Sequence, residues 1–240
     1  MAEDIRERLR RELESGASGE GSRALPSGAD VRQSLEDLAA QRQAQKDAPL
    51  YVFVAYDVTD SMEPYIRIVQ ANIGEVGKRV FVEETGINVA IWGVGDHRDQ
   101  RGWLQTNDFT SNNQTLDGQI RSIERRHGYD FPEAYECGFS ELAKAASKVK
   151  AEHPNSKVAT IFIGDSVPHG MEGFREAYGN IQIQDDGCPN QVDYRQSLPH
   201  LKAATDLLYF VGCSEDQSMT GLQQKLINPQ RPAEKFIPLG

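Results

Sequence analysis

Three runs of mostly apolar residues stop abruptly in polar side chains. Tyr51-Val-Phe-Val-Ala-Tyr ends in Asp57-Val-Thr59-Asp-Ser61, Ile87-Asn-Val-Ala-Ile-Trp-Gly-Val94 ends in Gly-Asp96-His97-Arg98-Asp99, and Val158-Ala-Thr-Ile-Phe-Ile163 ends in Gly164-Asp165-Ser166. Short apolar runs rich in β-branched and aromatic residues predict strands buried on both faces. Between them the apolar residues recur by threes and fours. Ile66, Val69, Ile73, Val76 and Val80 follow Pro64; Leu116, Ile120 and Ile123 share one face of a helix predicted over 115–126. Tyr135, Phe139, Leu142, Ala146 and Val149 line a longer helix opened by residues 127–134. A helix over 192–204, a strand over 207–211, a helix over 219–226 and the terminal Lys235-Phe-Ile-Pro-Leu complete the pattern, with residues 103–109 as a short edge strand. Strands alternating with helices of this length predict an α/β fold, a mainly parallel sheet wrapped on both faces by right-handed crossovers.

Residues 1–48 differ from the rest. They are charged and rich in Gln and Ala, with helices predicted over 4–14 and 30–46 around a Gly/Ser-rich break, and Val31, Leu35 and Leu38 give the second helix only a thin apolar stripe. We read them as a leader and residues 49–240 as one domain. The chain has 240 residues, 38 % of them hydrophobic, enough for one substantial core. Its net charge of −10 argues against a general nucleic-acid or anionic-membrane binder, because phosphate affinity comes from clustered Lys and Arg. Nothing approaches the roughly 20 apolar residues of a membrane span, and Met-Ala-Glu-Asp is not a secretion signal, so a cytoplasmic location is expected. Cys137, Cys188 and Cys213 are scattered and lack paired spacing, which points to buried or incidental thiols rather than a disulfide framework or a thiolate zinc site.

A parallel sheet keeps its sites at the carboxyl ends of its strands. Asp57, Thr59 and Ser61 from one loop, an element near Asp130 from a second and Asp165 from a third would converge there. That set supplies oxygen alone, which suits Mg²⁺ or Mn²⁺ rather than Zn²⁺ and leaves positions for water or an outside ligand. The plainer reading of Asp-x-Thr-x-Ser is a helix amino-cap.

In these residues the chain resembles a von Willebrand factor type A domain with a metal-ion-dependent adhesion site. Asp57-x-Thr59-x-Ser61 is similar to that family's first motif, with Thr for its first Ser, and Asp165 after Ile161-Phe-Ile is similar to its third. Gly128-Tyr-Asp130-Phe-Pro132-Glu133-Ala134 and Asp165-Ser-Val-Pro168-His169-Gly170 resemble the branch attached to atypical alpha-type kinases. The resemblance covers residues 49–240. It implies a six-stranded doubly wound sheet in three α/β/α layers, Mg²⁺ or Mn²⁺ at its upper edge, and cation-dependent binding of a protein partner that offers a Glu or Asp to the metal, without catalysis. The family's second motif offers a Thr that is missing near Gly128, so Asp130 stands as its substitute. Asp130 and Glu133 also have the spacing of a capping box, and both roles remain open.

His97 and His169 lack metal-ligand spacing to one another and are expected to be structural or to support a ligand. Asp96 and Asp99 orient waters or build a loop. The alternatives to a binding module are a scaffold with a degenerate metal site and a phosphatase of the haloacid dehalogenase type. The latter needs Asp-x-Asp, and here Thr59 fills the second position. Residues 171–190 form an irregular insertion expected to rim the site, and the oligomeric state is not legible.

Overall fold

The structure, a computed structural model, describes residues 48–83, 86–128, 132–178, 187–228 and 230–238. Twelve helices and strands alternate along them: β1 (Leu50–Asp57), α1 (Glu63–Glu83), β2 (Ile87–Val94), β3 (Leu104–Gln105), α2 (Asn113–Ser122), α3 (Tyr135–Glu152), β4 (Lys157–Gly164), α4 (Phe174–Tyr178), α5 (Tyr194–Ala204), β5 (Leu207–Gly212), α6 (Gln217–Gln224) and β6 (Glu234–Pro238). The sheet order is β3-β2-β1-β4-β5-β6. All pairings are parallel except β2 with β3, where Gly93 and Val94 face Gln105 and Leu104. The terminal Lys235-Phe-Ile run is thus a sixth strand.

The strict alternation of β1 divides the core in two. Val52, Val54 and Tyr56 point to one side, where they meet Val69, Ile73 and Val76 of α1 and Leu116 and Ile120 of α2. Phe53 and Ala55 point to the other, against Phe139, Leu142, Ala146 and Val149 of α3 and Leu198 and Leu201 of α5. Each helix therefore presents the apolar stripe that its sequence period places on one face. Burying one such Phe or Leu side chain contributes about 2 kcal/mol. Helices cover both faces of the sheet, and the loops gather at its strand ends.

The strand order reverses between β1 and β4, whose neighbours run outward in opposite directions. At such a reversal the two following helices diverge and a crevice opens above the carboxyl ends of the strands. Tyr56 pairs with Ile163, so Asp57 and Asp165 leave adjacent strands at nearly the same height. Here the topology brings two acidic strand ends together.

The helix expected over 115–126 ends at Ser122, because Ile123 turns extended and packs into the core at 7 % exposure. The chain beyond it runs back along the exit of β1: the Arg126 amide donates to the Val58 carbonyl at 2.8 Å. The insertion at 171–190 is anchored rather than loose at its start, since Met171 and Phe174 are buried in the α3 side of the core.

The leader helices expected over 4–14 and 30–46 lie outside the described residues. All six described strands fall within 50–238. Removing residues 1–47 is accordingly expected to leave one cooperative melting transition within a few degrees of the full chain, because burial by the sheet and its helices dominates stability. Loss of cooperativity in a thermal melt would show that the Val31, Leu35 and Leu38 face belongs to the core. No described helix is long and apolar enough to cross a membrane.

Candidate functional site

Asp57 ends β1 with no exposed surface. Its Oδ1 accepts from the Thr59 amide at 2.8 Å and from the Thr59 hydroxyl at 2.6 Å, a side-chain turn that fixes the first loop. Its Oδ2 accepts from the Tyr135 hydroxyl, which comes from the first turn of α3 and itself accepts from the Ser166 amide at 3.2 Å. The Thr59 and Ser61 hydroxyls lie 3.1 Å apart. Thr59 does not use its side chain to cap the short 3-10 turn of Asp60–Met62 that follows, so the amino-cap reading of this motif is replaced by a cross-linked oxygen cluster.

Asp165 completes the cluster from β4. It stands beside Ser61 and Asp57, and its Oδ1 is sealed from solvent without a hydrogen-bond partner. Burial, and then the charge of Asp165, push Asp57 up to about 8 against the opposing hydrogen bonds of Thr59 and Tyr135. Burial likewise raises Asp165. Two neighbouring carboxylates, Asp57 fully buried and Asp165 half-buried, are eased by a proton or a cation between them. Gln223 of α6, fully buried, donates to the Gly164 and Ser166 carbonyls at 3.1 and 2.9 Å and so clamps the turn that carries Asp165.

Gly128 closes the cluster from below. Its φ of +54° lies in the left-handed region, and a Cβ there would stand 2.8 Å from the Thr59 Cβ. Asp130 lies outside the described residues, so neither its ligand role nor its capping role is placed. Glu133 is buried, and its amide donates to the Val167 carbonyl at 3.1 Å, which ties the segment before α3 to the loop after β4.

Asp96 and Asp99 build their own loop. The Asp96 amide donates to Asp99 Oδ2 at 3.0 Å and the Arg98 amide to Asp96 Oδ2 at 3.1 Å. The histidines behave differently from a pair of isolated structural residues. Both converge on Glu136, the second residue of α3, which has no exposed surface: His97 Nε2 is 2.7 Å from Oε1, and the His169 amide donates to Oε2 at 3.0 Å. Burial opposes ionisation of Glu136, but the His169 and His97 hydrogen bonds outweigh it and hold the carboxyl down at about 2.

The sequence reading missed what stands beside this glutamate. Cys137 Sγ and Cys188 Sγ are 3.4 Å apart, and Cys188 Sγ is 3.4 Å from His97 Nε2. Two thiols separated by 51 residues have no spacing from which their contact can be read. The one local signal is the pair Glu136-Cys137 at the start of a helix, facing a strand end that carries His97.

Comparisons with known proteins bear on the fold. No family model matches the chain, and no curated protein matches it. Among solved structures it is similar to the pilus adhesin SpaC from Lactobacillus rhamnosus GG, at 14 % identity and a TM-score of 0.57 over 80 % of this chain and 28 % of that one. The open conformation of SpaC matches at 13 % identity and a TM-score of 0.55, over 79 % of this chain and 28 % of that one. The D319A mutant of the PilB minor pilin from Streptococcus sanguinis matches at 10 % identity and a TM-score of 0.51, over 80 % of this chain and 57 % of that one. The likeness shows the fold alone. This chain spans 28 % of the SpaC chain and 57 % of the PilB chain, less than two thirds of each.

These findings correct the family identification. The resemblance to a von Willebrand factor type A domain with a metal-ion-dependent adhesion site rested on short motifs, and the comparisons return a minor pilin and a pilus adhesin instead, with no family model behind the motifs. The metal-bridged capture of a partner's Glu or Asp, which that resemblance implied, is withdrawn with it. The physical reason is that acidic and hydroxyl residues after a parallel strand are what a tight polar turn at a sheet reversal requires. Such a pattern recurs without shared ancestry or function.

Proposed function

We propose that this chain is a non-catalytic recognition domain whose sheet edge is stabilised by one divalent cation. The observation that carries the reading is the pairing of fully buried Asp57 with half-buried Asp165, flanked by the Thr59 and Ser61 hydroxyls and leaving Asp165 Oδ1 without a hydrogen-bond partner. A hard cation, Mg²⁺ or Mn²⁺, fits an all-oxygen set of this kind. Asp57, Ser61 and Asp165 would hold it, with Thr59 orienting Asp57. The cation's work is structural, neutralising the two carboxylates so that the loops after β1, β2 and β4 keep one shape.

Recognition of another protein through those loops is the use that the adhesin and pilin likeness supports, together with the acidic balance that disfavours nucleic acid and anionic membrane. A phosphatase is disfavoured because Thr59 stands where the second carboxylate, the acid and base of that chemistry, is needed. The two helical faces are read as the outer layers of a doubly wound α/β/α sandwich. Three free thiols fit a reducing cytoplasm, which we include in the proposal.

The test is calorimetric titration of the full chain with Mn²⁺, alongside turnover of a generic phosphate ester. One saturable site without turnover is expected, with Ser61→Ala weakening it about tenfold, the loss of one charge-supported oxygen contact. Absence of a saturable site, or metal-dependent turnover, would overturn the reading. Charge reversal at the exposed residue Glu172 should weaken partner capture and leave the Mn²⁺ titration unchanged; capture that survives the change would move recognition elsewhere.

A further inference from the structure

The cluster around Glu136 is chemically different from the oxygen site. His97, Glu136, Cys137 and Cys188 place one ligand atom each within 4.8 Å of one another. They come from three separate places: the loop after β2, the first turn of α3, and the loop that leads into α5. From these residues we propose a second, soft metal site, one that binds Zn²⁺ through His97 Nε2, one Glu136 oxygen and the Cys137 and Cys188 thiolates.

Geometry and ligand chemistry support it. Two thiolates bound to zinc at about 2.3 Å in a tetrahedron stand roughly 3.7 Å apart. The observed Sγ to Sγ and Sγ to Nε2 separations are both 3.4 Å, close to that spacing, whereas His97 Nε2 and Glu136 Oε1, 2.7 Å apart, must part by about half an ångström to admit the ion. Two sulfurs and an imidazole select zinc over the hard cations of the oxygen site, so the two sites do not compete for one ion.

The surroundings are also those of a ligand set. The second oxygen of Glu136 is held by the His169 amide, His169 Nδ1 lies 3.3 Å from both oxygens, and the first oxygen also faces His97 Nε2 at 2.7 Å. A carboxylate fixed by one histidine while it faces another is the arrangement that orients a metal ligand. His97 itself is flanked by the rings of Trp103 and His169, with centroids 5.7 and 5.2 Å away. The Asn190 amide nitrogen sits 3.6 Å from Cys137 Sγ, within reach to donate to a thiolate. On binding, each thiol loses its proton to solvent and the zinc takes its place, with no change of oxidation state.

The consequence is a staple. Zinc would join the loop carrying Cys188 to α3 and to the end of β2, fixing the far end of the 171–190 insertion where Met171 and Phe174 already fix its start. The same sulfurs could instead close a disulfide, which needs an oxidant and draws them in to about 2.05 Å.

The experiment uses the full chain purified under reducing conditions. Elemental analysis is expected to find one zinc per chain. Replacement by Co²⁺ should produce a thiolate-to-cobalt charge-transfer band, a signature that an all-oxygen site does not give. Cys188→Ser should remove the band while the circular dichroism of the fold persists, and His169→Ala should weaken zinc 10- to 100-fold through the glutamate it holds. No zinc and no charge-transfer band in the reduced wild-type protein would overturn the proposal, whether or not an oxidised sample shows a Cys137–Cys188 bond. A band unchanged in Cys188→Ser would overturn this ligand set.

Discussion

Asp57→Asn is expected to weaken Mn²⁺ binding by at least a hundredfold and, in chelator, to flatten the pH dependence of stability. The binding loss follows from removing the one fully buried carboxylate in the oxygen set, since a neutral amide repays little of a divalent ion's lost hydration. The pH effect follows from the folded state. Without a cation, burial and then Asp165 push Asp57 up to about 8, far above the roughly 3.9 of an unfolded chain. A carboxyl with a raised folded value binds its proton more tightly when folded. Its contribution is fully present below about pH 4 and is lost as pH rises toward and through about 8.

We therefore expect the wild-type chain in chelator to lose on the order of 3 kcal/mol between pH 4 and pH 9, a figure discounted for the relaxation that accompanies a buried charge. Asn at position 57 should not show that loss, and Mn²⁺ should restore wild-type stability at the alkaline end. Urea melts at both pH values, with and without Mn²⁺, decide it. Parallel pH profiles for the two proteins would mean that Asp57 does not titrate in this window and that the acidic edge is satisfied some other way.

The second large effect is expected from a single methyl group. A Cβ at Gly164 would overlap the Tyr135 hydroxyl and stand 2.7 Å from its Cζ. Tyr135 cannot give way cheaply: it has no exposed surface, its ring packs against Phe162 with centroids 4.8 Å apart, and its hydroxyl bridges Asp57 and the Ser166 amide. Gly164→Ala should cost about 3 kcal/mol, the upper range for an overpacked core, and should weaken Mn²⁺ as well because Tyr135 holds Asp57.

The comparison is Gly118→Ala in α2, where a Cβ meets nothing within 4 Å. That change should stabilise by about 0.5 to 1 kcal/mol, since alanine outranks glycine in a helix interior. Similar melting for both variants would show that the β4 turn yields more readily than its packing implies.

What the sequence determined by itself is the framework. The apolar runs ending in Asp57, Val94 and Gly164 became β1, β2 and β4, and the stripes of Ile73, Phe139 and Leu142 became the buried faces of α1 and α3. Local periodicity decides these, because a residue's neighbours at two or at three to four positions share its face. That Asp57, Thr59, Ser61 and Asp165 would lie near one another was legible in the chain alone, since parallel neighbouring strands deliver their ends to the same edge.

The tertiary structure alone decided the rest. It placed β6 beside β5, stopped α2 at Ser122 by drawing Ile123 into the core, and turned both oxygens of Asp57 inward to Thr59 and Tyr135. It also brought Cys188 and His97 to Glu136 and Cys137 from positions 52 and 39 residues away, counted from Glu136 as 188 − 136 and 136 − 97. Such contacts depend on which strands are neighbours and on how far each loop reaches across the edge. Neither is written in the spacing of residues along the chain, because the period of a helix or strand carries information over a few residues, whereas the sheet order sets distances over the whole domain.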